Sequence, residues 1–272
     1  MERVGVIQMT SGPDPQANLK VIEKRLETLS QQGVRWVVTP ENALVFGAKA
    51  DYHQHAETFV DGPLQHQVAA LAKRFQVWFL IGSMPIRRPQ GVSTTSILFS
   101  PNGECVAAYD KLHMFDVDVA DGHKRYRESE IFAAGHQVVS VDTPFAKLGL
   151  SICYDLRFPH LYGELVKQGA NVIVVPAAFT AVTGQAHWQT LLQARAIETQ
   201  CWVVAVNQCA THPCGRETWG HSMVINPWGE IVACLDNQPD TLVVELDIDK
   251  VQDIRTAMPV AKHIRFDTQI KQ

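Results

Sequence analysis

The stretch KLGLSICYDLRFPHLYGELVKQGANVIVV, residues 147–175, indicates the fold most directly. It begins with an apolar strand over residues 147–153, continues with a helix over 156–168, and ends in a second apolar strand over 170–175. Strands that are apolar throughout are typical of sheets whose faces are covered by other layers. Buried strands with a helix between them predict a layered α/β protein.

The same alternation extends along the rest of the chain. Other helices are predicted at residues 18–31, 64–75 and 188–199. Other strands are predicted at residues 3–9, 34–38, 77–82, 202–207, 221–225, 231–235 and 242–246. Residues 94–100 and 104–110 flank Pro101-Asn102-Gly103, which is a hairpin signal. Hairpins among buried strands predict mixed sheets, and the strands are too many for one sheet, so we expect two.

The composition is that of a globular protein without a charge-driven partner. Hydrophobic residues make up 46% of the 272 residues and charged residues 19%, which excludes a disordered chain. Lys and Arg number 24 against 28 Asp and Glu, a net charge of −4, so we expect neither nucleic acid nor an anionic membrane as a partner. The length fits one or two domains.

The sequence gives no sign of a membrane span or a secretion signal. No stretch reaches the ~18 uninterrupted apolar residues of a spanning helix, and the apolar run near the N-terminus is too short for a signal peptide. We therefore expect a cytoplasmic protein, in which cysteines stay reduced. The six cysteines are then expected to be thiols: Cys105, Cys153, Cys201, Cys209, Cys214 and Cys234.

Three reactive side chains stand at the ends of predicted strands, where functional groups of α/β proteins gather. Glu41 follows the strand at 34–38, Lys111 follows the strand at 104–110, and Cys153 ends the strand at 147–153. A thiolate is a nucleophile, and a carboxylate can accept the thiol proton and return it to a leaving amine. An ammonium stabilises negative charge on a carbonyl oxygen, and the backbone N–H of Tyr154 could do so as well. The set predicts acyl transfer through a thioester.

Each of these residues also has a simpler structural explanation. A cysteine at a strand end usually serves packing, a glutamate after proline usually caps a turn or helix, and a lysine is usually solvated. The three residues lie 70 and 42 positions apart along the chain, and this spacing does not bring them together. From residue chemistry alone the catalytic site is a hypothesis.

Seven blocks of the sequence, in order, resemble the signature blocks of the nitrilase superfamily of carbon–nitrogen hydrolases. The first four are TPENAL (39–44), YDKLHMFDVDV (109–119), YRESEIFAAG (126–135) and ICYDLRFPHLYGEL (152–165). The resemblance continues through residues 169–208, 219–233 and 255–266 and covers essentially the whole chain. It implies a four-layer α-β-β-α sandwich with two mixed sheets, in a single carbon–nitrogen hydrolase domain over residues 1–272.

The family pattern implies a role for each matching residue. Glu41 matches the general base, Lys111 the catalytic lysine and Cys153 the nucleophile. Glu128 matches the second glutamate, which holds the lysine and the substrate, and Tyr154 matches the position whose backbone N–H completes the oxyanion hole. The resemblance implies no cofactor and no metal, and it implies a homodimer or larger homo-oligomer.

Residues 110–119 and 183–205 are most similar to the deaminated glutathione amidases within the superfamily. The implied substrate is glutathione whose γ-glutamyl amino group has become a keto group, and the implied products are 2-oxoglutarate and cysteinylglycine. Such a reaction repairs a metabolite formed by mistake. The sister ω-amidases, which act on 2-oxoglutaramate, are the alternative within the superfamily. A non-enzymatic scaffold that keeps the fold, and a cysteine-rich metal or redox protein, are alternatives of other classes.

Two groups of residues are candidates for contacts with the substrate. Those expected to line the pocket, just after the strand at 170–175, are Phe179, Thr180 and Thr183. Three cations near Glu128 could hold substrate carboxylates, with a solvated loop as the simpler explanation; they are Lys124, Arg125 and Arg127.

Two other groups have spacings that invite a metal site. His53 and His55 form an HxH pair, with His66 further along, and Cys209 and Cys214 flank a short polar loop. A zinc site needs further ligands and a closed surrounding shell, and neither group has them nearby in sequence. We therefore expect no metal.

Overall fold

Strands and helices alternate through the computed structural model, which describes residues 2–270. The strands are β1 (Glu2–Gln8), β2 (Trp36–Val38), β3 (Glu57–Thr58), β4 (Trp78–Arg88), β5 (Gly91–Phe99), β6 (Cys105–Asp110), β7 (Asp116–Asp118), β8 (Arg125–Arg127), β9 (Ser140–Asp142), β10 (Lys147–Leu150), β11 (Val172–Ala177), β12 (Trp202–Asn207), β13 (Cys209–Thr211), β14 (Glu217–Trp219), β15 (Met223–Ile225), β16 (Ile231–Cys234) and β17 (Asp240–Leu246). The α-helices are α1 (Pro15–Gln31), α2 (Lys49–Gln54), α3 (Pro63–Phe75), α4 (Pro159–Lys167), α5 (Ala181–Thr199) and α6 (Asp249–Ala257). Short 3₁₀ helices cover Glu128–Glu130, Cys153–Arg157 and Val260–His263. Across residues 2–270, no helix combines the length and the apolar character that crossing a membrane requires.

Most of the strands form two mixed sheets of similar topology. The first sheet has the order β17-β1-β2-β4-β5-β6, and β3 pairs with β4. The second has the order β16-β15-β12-β11-β10-β9. In the first sheet β1, β2 and β4 are parallel, and in the second β10, β11 and β12 are parallel. Each sheet therefore has three parallel strands at its centre, with antiparallel strands on both sides.

The central strands of the first sheet bury both of their faces. Val4, Val6 and Val38 pack into the core between the two sheets, whereas Ile7 and Val37 pack into a second core on the outer face. The change of face from one residue to the next follows from the two-residue period of a strand. Such strands read as continuous apolar runs, which is the pattern that the sequence shows.

Helix α1 covers the outer face of the first sheet because its apolar residues recur along one side. Leu19, Ile22, Leu26 and Leu29 are buried in the outer core, and each contributes roughly 1.5–3 kcal/mol by leaving water. Helix α3 packs beside α1 in the same layer.

Helices α4 and α5 cover the outer face of the second sheet. Leu161 and Leu165 of α4 and Trp188 and Leu192 of α5 are buried in the core that contains the strands of this sheet. The layers therefore run from α1 and α3 through the two sheets to α4 and α5. The predicted α-β-β-α sandwich with two mixed sheets is confirmed.

The structure differs from the prediction where polar groups interrupt an element. The strand predicted over residues 147–153 ends at Leu150, because Asp155 accepts the N–H of Ile152 at 2.9 Å. The helix predicted over 156–168 begins at Pro159, after the 3₁₀ turn at Cys153–Arg157. The helix predicted over 188–199 begins at Ala181, since its first two turns carry no apolar stripe that would reveal them.

Candidate active site

The site lies where the central parallel strands of the two sheets end. Met9, beyond β1, pairs in parallel with Gln208, beyond β12, and this bridge joins the two sheets. Glu41 lies beyond the carboxyl end of β2, Cys153 beyond that of β10, and Lys111 directly after β6. The structure therefore brings together three residues that the sequence spacing leaves apart.

Lys111 is held between two carboxylates. Its ammonium Nζ lies 2.8 Å from Glu41 Oε1, 2.8 Å from Glu128 Oε1 and 2.9 Å from Glu128 Oε2. The lysine side chain is 2% exposed. Glu128 Oε2 also accepts the backbone N–H of Phe115 at 2.6 Å, so the 3₁₀ turn at Glu128–Glu130 is fixed against the loop after β6. A buried ammonium is stable only with such compensation.

The charges of Lys111, Glu41 and Glu128 determine which of these side chains carry a proton. Burial acts to lower the pKa of Lys111, but the carboxylates of Glu128 and Glu41 outweigh it and hold that pKa well above its ordinary value. Burial raises the pKa of Glu128, and Glu41 adds to this effect while Lys111 opposes it. Lys111 is therefore expected to be protonated, with its positive charge held against Glu41 and Glu128.

Cys153 begins the 3₁₀ helix Cys153–Arg157 in a backbone conformation that L-residues rarely adopt, with φ of 48°. This sharp turn from strand to helix presents the thiol at the edge of the sheet and places the N–H of Tyr154 in the first helical turn, where N–H groups lack intrahelical partners. Burial raises the pKa of the Cys153 thiol well above its ordinary value, and Glu41 adds to this, while Lys111 lowers it. The resting group is therefore a thiol that needs a base.

Both carboxylate oxygens of Glu41 accept hydrogen bonds. Oε1 accepts the Lys111 ammonium, and Oε2 accepts the backbone N–H of Ala178 at 2.8 Å. The same N–H acts on the sulfur of Cys153 and lowers the thiol pKa. Behind Glu41, the side chain of Gln208 donates to the Glu41 carbonyl at 2.9 Å. The carboxylate is thereby positioned between the two sheets, next to the thiol.

Asp155, which the sequence did not mark as a site residue, supports the turn that carries Cys153. Its fully buried carboxylate accepts the N–H of Ile152 at 2.9 Å, the hydroxyl of Tyr109 at 2.7 Å and the backbone N–H of His113 at 3.1 Å. His113 Nδ1 lies 2.7 Å from the same carboxylate. These contacts tie the nucleophile turn to the segment around Lys111. In the sequence, the only feature that marks Asp155 is its position two residues after Cys153. This position does not distinguish a buried residue that holds the turn from an exposed surface residue.

The predicted residues and several others line one cleft. The lining includes the predicted site residues Glu41, Lys111, Glu128, Cys153 and Tyr154. It also includes the predicted pocket residues Phe179, Thr180 and Thr183. Residues that sequence reasoning missed complete the lining: Asn42, Tyr52, Phe115, His123, Tyr126, Ile131, Phe132, Ala178 and Arg216. Some are chain neighbours of the predicted site residues, such as Asn42 and Ala178, whereas Tyr52 of α2 and Arg216 come from distant parts of the chain.

The three cations predicted near Glu128 differ in where they lie. Lys124 and Arg125 are exposed and lie outside the lining of the cleft. Arg127 lines the cleft, but its guanidinium binds Asp118 at 2.9 Å and the carbonyl of Val117 at 3.0 Å. The solvated-loop explanation therefore fits Lys124 and Arg125, and Arg127 is engaged by its own hairpin.

The histidines and cysteines with metal-like spacing do not converge. His53 Nε2 lies 2.9 Å from the carbonyl of Ile131, a contact with the backbone. Cys209 is buried, whereas Cys214 is exposed. Within residues 2–270, no three side chains of His, Cys, Asp or Glu are grouped so that they could hold a metal ion.

Comparison with known proteins shows which family the chain resembles. A profile of the carbon–nitrogen hydrolase family matches residues 3–256. A deaminated glutathione amidase from Yersinia enterocolitica is 46% identical over 266 residues, covering 97% of this chain and 93% of the relative. The structure of the C. elegans NitFhit protein superposes with a TM-score of 0.88 and 35% identity, over 97% of this chain and 65% of that one. An amidase from Nesterenkonia, whose active-site cysteine carries acrylamide added by Michael addition, superposes with a TM-score of 0.80 and 26% identity, over 95% of this chain and 98% of that one.

Proposed function

The chain belongs to the carbon–nitrogen hydrolase family, and on that premise we propose that it hydrolyses deaminated glutathione through a thioester on Cys153. Enzymes of this family act on carbon–nitrogen bonds other than peptide bonds. The observation that carries the proposal is the buried Lys111 ammonium between Glu41 and Glu128 in the cleft that contains Cys153. Deaminated glutathione is chosen because relatives with that activity by name match nearly the full length of the chain.

In the first half of the reaction, Glu41 removes the proton of the Cys153 thiol as the sulfur attacks the amide carbonyl. The raised pKa of Cys153 explains why the attack needs this base. The carbonyl oxygen becomes an oxyanion, which the Lys111 ammonium and the Tyr154 N–H stabilise. The carbon–nitrogen bond then breaks, and the cysteinylglycine amine leaves with the proton that Glu41 returns. The acyl group remains on Cys153 as a thioester.

In the second half, Glu41 accepts a proton from water as the water oxygen attacks the thioester carbonyl. The same two donors stabilise the second oxyanion. The carbon–sulfur bond breaks, the sulfur recovers its proton from Glu41, and 2-oxoglutarate leaves. One water molecule is consumed for each amide cleaved, and the step requires no cofactor.

The assignment is tested by steady-state hydrolysis of deaminated glutathione beside 2-oxoglutaramate, coupled to release of 2-oxoglutarate. We expect a higher kcat/KM for deaminated glutathione, no turnover by Cys153→Ala, and normal turnover by the matched variant Cys214→Ala, whose thiol is exposed. A preference for 2-oxoglutaramate would identify an ω-amidase instead. Normal turnover by Cys153→Ala would exclude the cysteine mechanism.

The family resemblance further supports a cytoplasmic enzyme with one domain that forms a homodimer or larger homo-oligomer. Large apolar side chains on the outer surface favour such assembly: Trp228 is 60% exposed and Phe266 83% exposed, and Ile197 of α5 is exposed near Gly229. Light scattering during gel filtration measures the assembly. A monomer at micromolar concentration would contradict this part of the proposal.

A further inference from the structure

We propose that Arg216 binds a carboxylate of the substrate and thereby selects anionic amides. Arg216 lines the cleft that holds Cys153 and follows the turn between β13 and β14. This inference rests on the proposed function, because it names the residue that recognises the charge of that substrate. Deaminated glutathione carries one carboxylate on its 2-oxo acid end and another on its glycine end.

Arg216 is the arginine of the cleft whose charge is not already neutralised. Lys111 is bound by Glu41 and Glu128, and Arg127 is bound by Asp118. By contrast, no carboxylate within residues 2–270 forms a salt bridge with Arg216. A guanidinium offers five donors in a planar fork that matches a carboxylate. An uncompensated guanidinium on the wall of a cleft is therefore prepared for an anionic ligand.

Aromatic rings hold the Arg216 guanidinium in place. Its Cζ lies 4.8 Å from the ring centroid of Phe46 and 5.3 Å from that of Tyr126. Both rings attract the cation through their faces. Tyr126 belongs to β8, so its contact with Arg216 joins the hairpin β7–β8 to the hairpin β13–β14.

The hairpin that carries Arg216 is anchored by a buried histidine. The backbone N–H of His212 donates to the Arg216 carbonyl at 2.9 Å. The His212 ring stacks on Phe46 at 3.7 Å, and its nitrogens lie 2.8 Å from the carbonyl of Ser11 and 2.9 Å from the hydroxyl of Thr218. Phe46 thus contacts the histidine and the arginine of one hairpin, so little side-chain freedom remains for Arg216 to lose when a ligand binds.

The charges around Cys153 in the cleft explain why such a cation is needed. Glu41 and Glu128 present two carboxylates, and Lys111 compensates only one of them. This excess of negative charge opposes an anionic substrate, and the cost is large where water is excluded. The Arg216 guanidinium in the cleft lining offsets the repulsion between the two glutamates and the substrate, and it orients the substrate by binding its carboxylate.

The test compares Arg216→Gln and Arg216→Lys with a matched control, Arg125→Gln. The Arg125 side chain is 66% exposed and lies outside the cleft lining. The substrates are deaminated glutathione, an analogue whose glycine carboxylate is an amide, and 2-oxoglutaramate. We expect Arg216→Gln to raise KM for deaminated glutathione by about 10- to 100-fold with kcat within about threefold, the effect of losing a charged hydrogen bond. Arg216→Lys keeps the charge and should recover part of the loss, and Arg125→Gln should match the wild type.

The substrates distinguish which carboxylate Arg216 binds. An increase in KM for all three assigns Arg216 to the 2-oxo acid end, and an increase for deaminated glutathione alone assigns it to the glycine end. Unchanged KM values for all three in Arg216→Gln would overturn the inference. If the wild type cleaves none of them, the proposed function fails separately, and calorimetric binding of 2-oxoglutarate decides about Arg216. Weaker binding of 2-oxoglutarate by Arg216→Gln than by the wild type then supports the inference. Equal binding by the two proteins, or no binding by the wild type, contradicts it.

Discussion

At the scale of single residues, the site depends on one ammonium shared by two carboxylates. Lys111 keeps its charge because Glu41 and Glu128 compensate it, and each glutamate keeps its position because the lysine binds it. The three residues are therefore coupled, and changing one alters the charge on the others. Sequence chemistry identified Glu41 and Lys111 as candidates, but only the family resemblance pointed to Glu128, because a glutamate in a polar loop has no distinguishing pattern.

Replacing Lys111 by alanine tests this coupling. We expect Lys111→Ala to reduce kcat by at least about 100-fold, since an oxyanion donor contributes roughly 3 kcal/mol or more. We also expect lower stability to urea, because two buried carboxylates would lose their counter-ion. The control is Lys20→Ala, which changes an exposed lysine of α1. Full activity in Lys111→Ala would refute the role of the lysine in catalysis.

At the scale of elements, the sequence predicted the long apolar strands and the amphipathic helices but not the short pieces around the site. Strand β12 lies where the sequence predicts it, at Trp202–Asn207, because its first five residues are apolar and its whole length is buried. The strands of the hairpins β7–β8 and β13–β14 have three residues each. This length is too short to show the alternation of apolar and polar residues that identifies a strand in a sequence. These hairpins supply Tyr126 and place Arg216, so the missed elements are those that complete the cleft.

The hairpin β13–β14 has a predictable dependence on pH through His212. Burial lowers the pKa of His212 from 6.5 to about 4, and the unfolded chain therefore takes up this proton at higher pH than the folded protein does. The contribution of His212 to stability is present above about pH 6.5 and is lost as the pH falls toward 4, by about 3 kcal/mol in all.

Urea unfolding between pH 7 and pH 4 measures this contribution. We expect His212→Gln to lose less stability than the wild type over that range, because glutamine takes up no proton. His66→Gln, at an exposed position in α3, is the control and should follow the wild type. Parallel curves for the wild type and His212→Gln would show that His212 has no part in acid unfolding.

At the scale of the whole molecule, the active site exists only where both sheets are in place. Glu41 comes from the first sheet and Cys153 from the second, and Gln208 joins the sheets between them. The four layers followed from the buried strands and the family resemblance. The convergence of residues 41, 111 and 153 could not follow from spacing, since it depends on the packing of one sheet on the other.

Gln208 tests whether this junction supports catalysis. Its side chain donates to Ser11 Oγ at 2.8 Å and to the Glu41 carbonyl at 2.9 Å, and accepts the Ser11 N–H at 3.1 Å. We expect Gln208→Ala to lower the free energy of unfolding by about 1–3 kcal/mol, because buried groups lose their partners, and to lower kcat by displacing Glu41. The exposed Gln189→Ala is the control. A loss of stability with unchanged kcat would restrict Gln208 to a structural role.

The central claim, that Cys153 carries the acyl group during turnover, is tested most directly by rapid acid quench followed by mass spectrometry of the intact chain and its peptides. During hydrolysis of deaminated glutathione we expect a mass increase of one 2-oxoglutaryl group on the peptide that contains Cys153. The adduct should be absent from Cys153→Ala and should disappear as the substrate is exhausted. Turnover with Cys153 unmodified and the acyl group on another residue would contradict the claim.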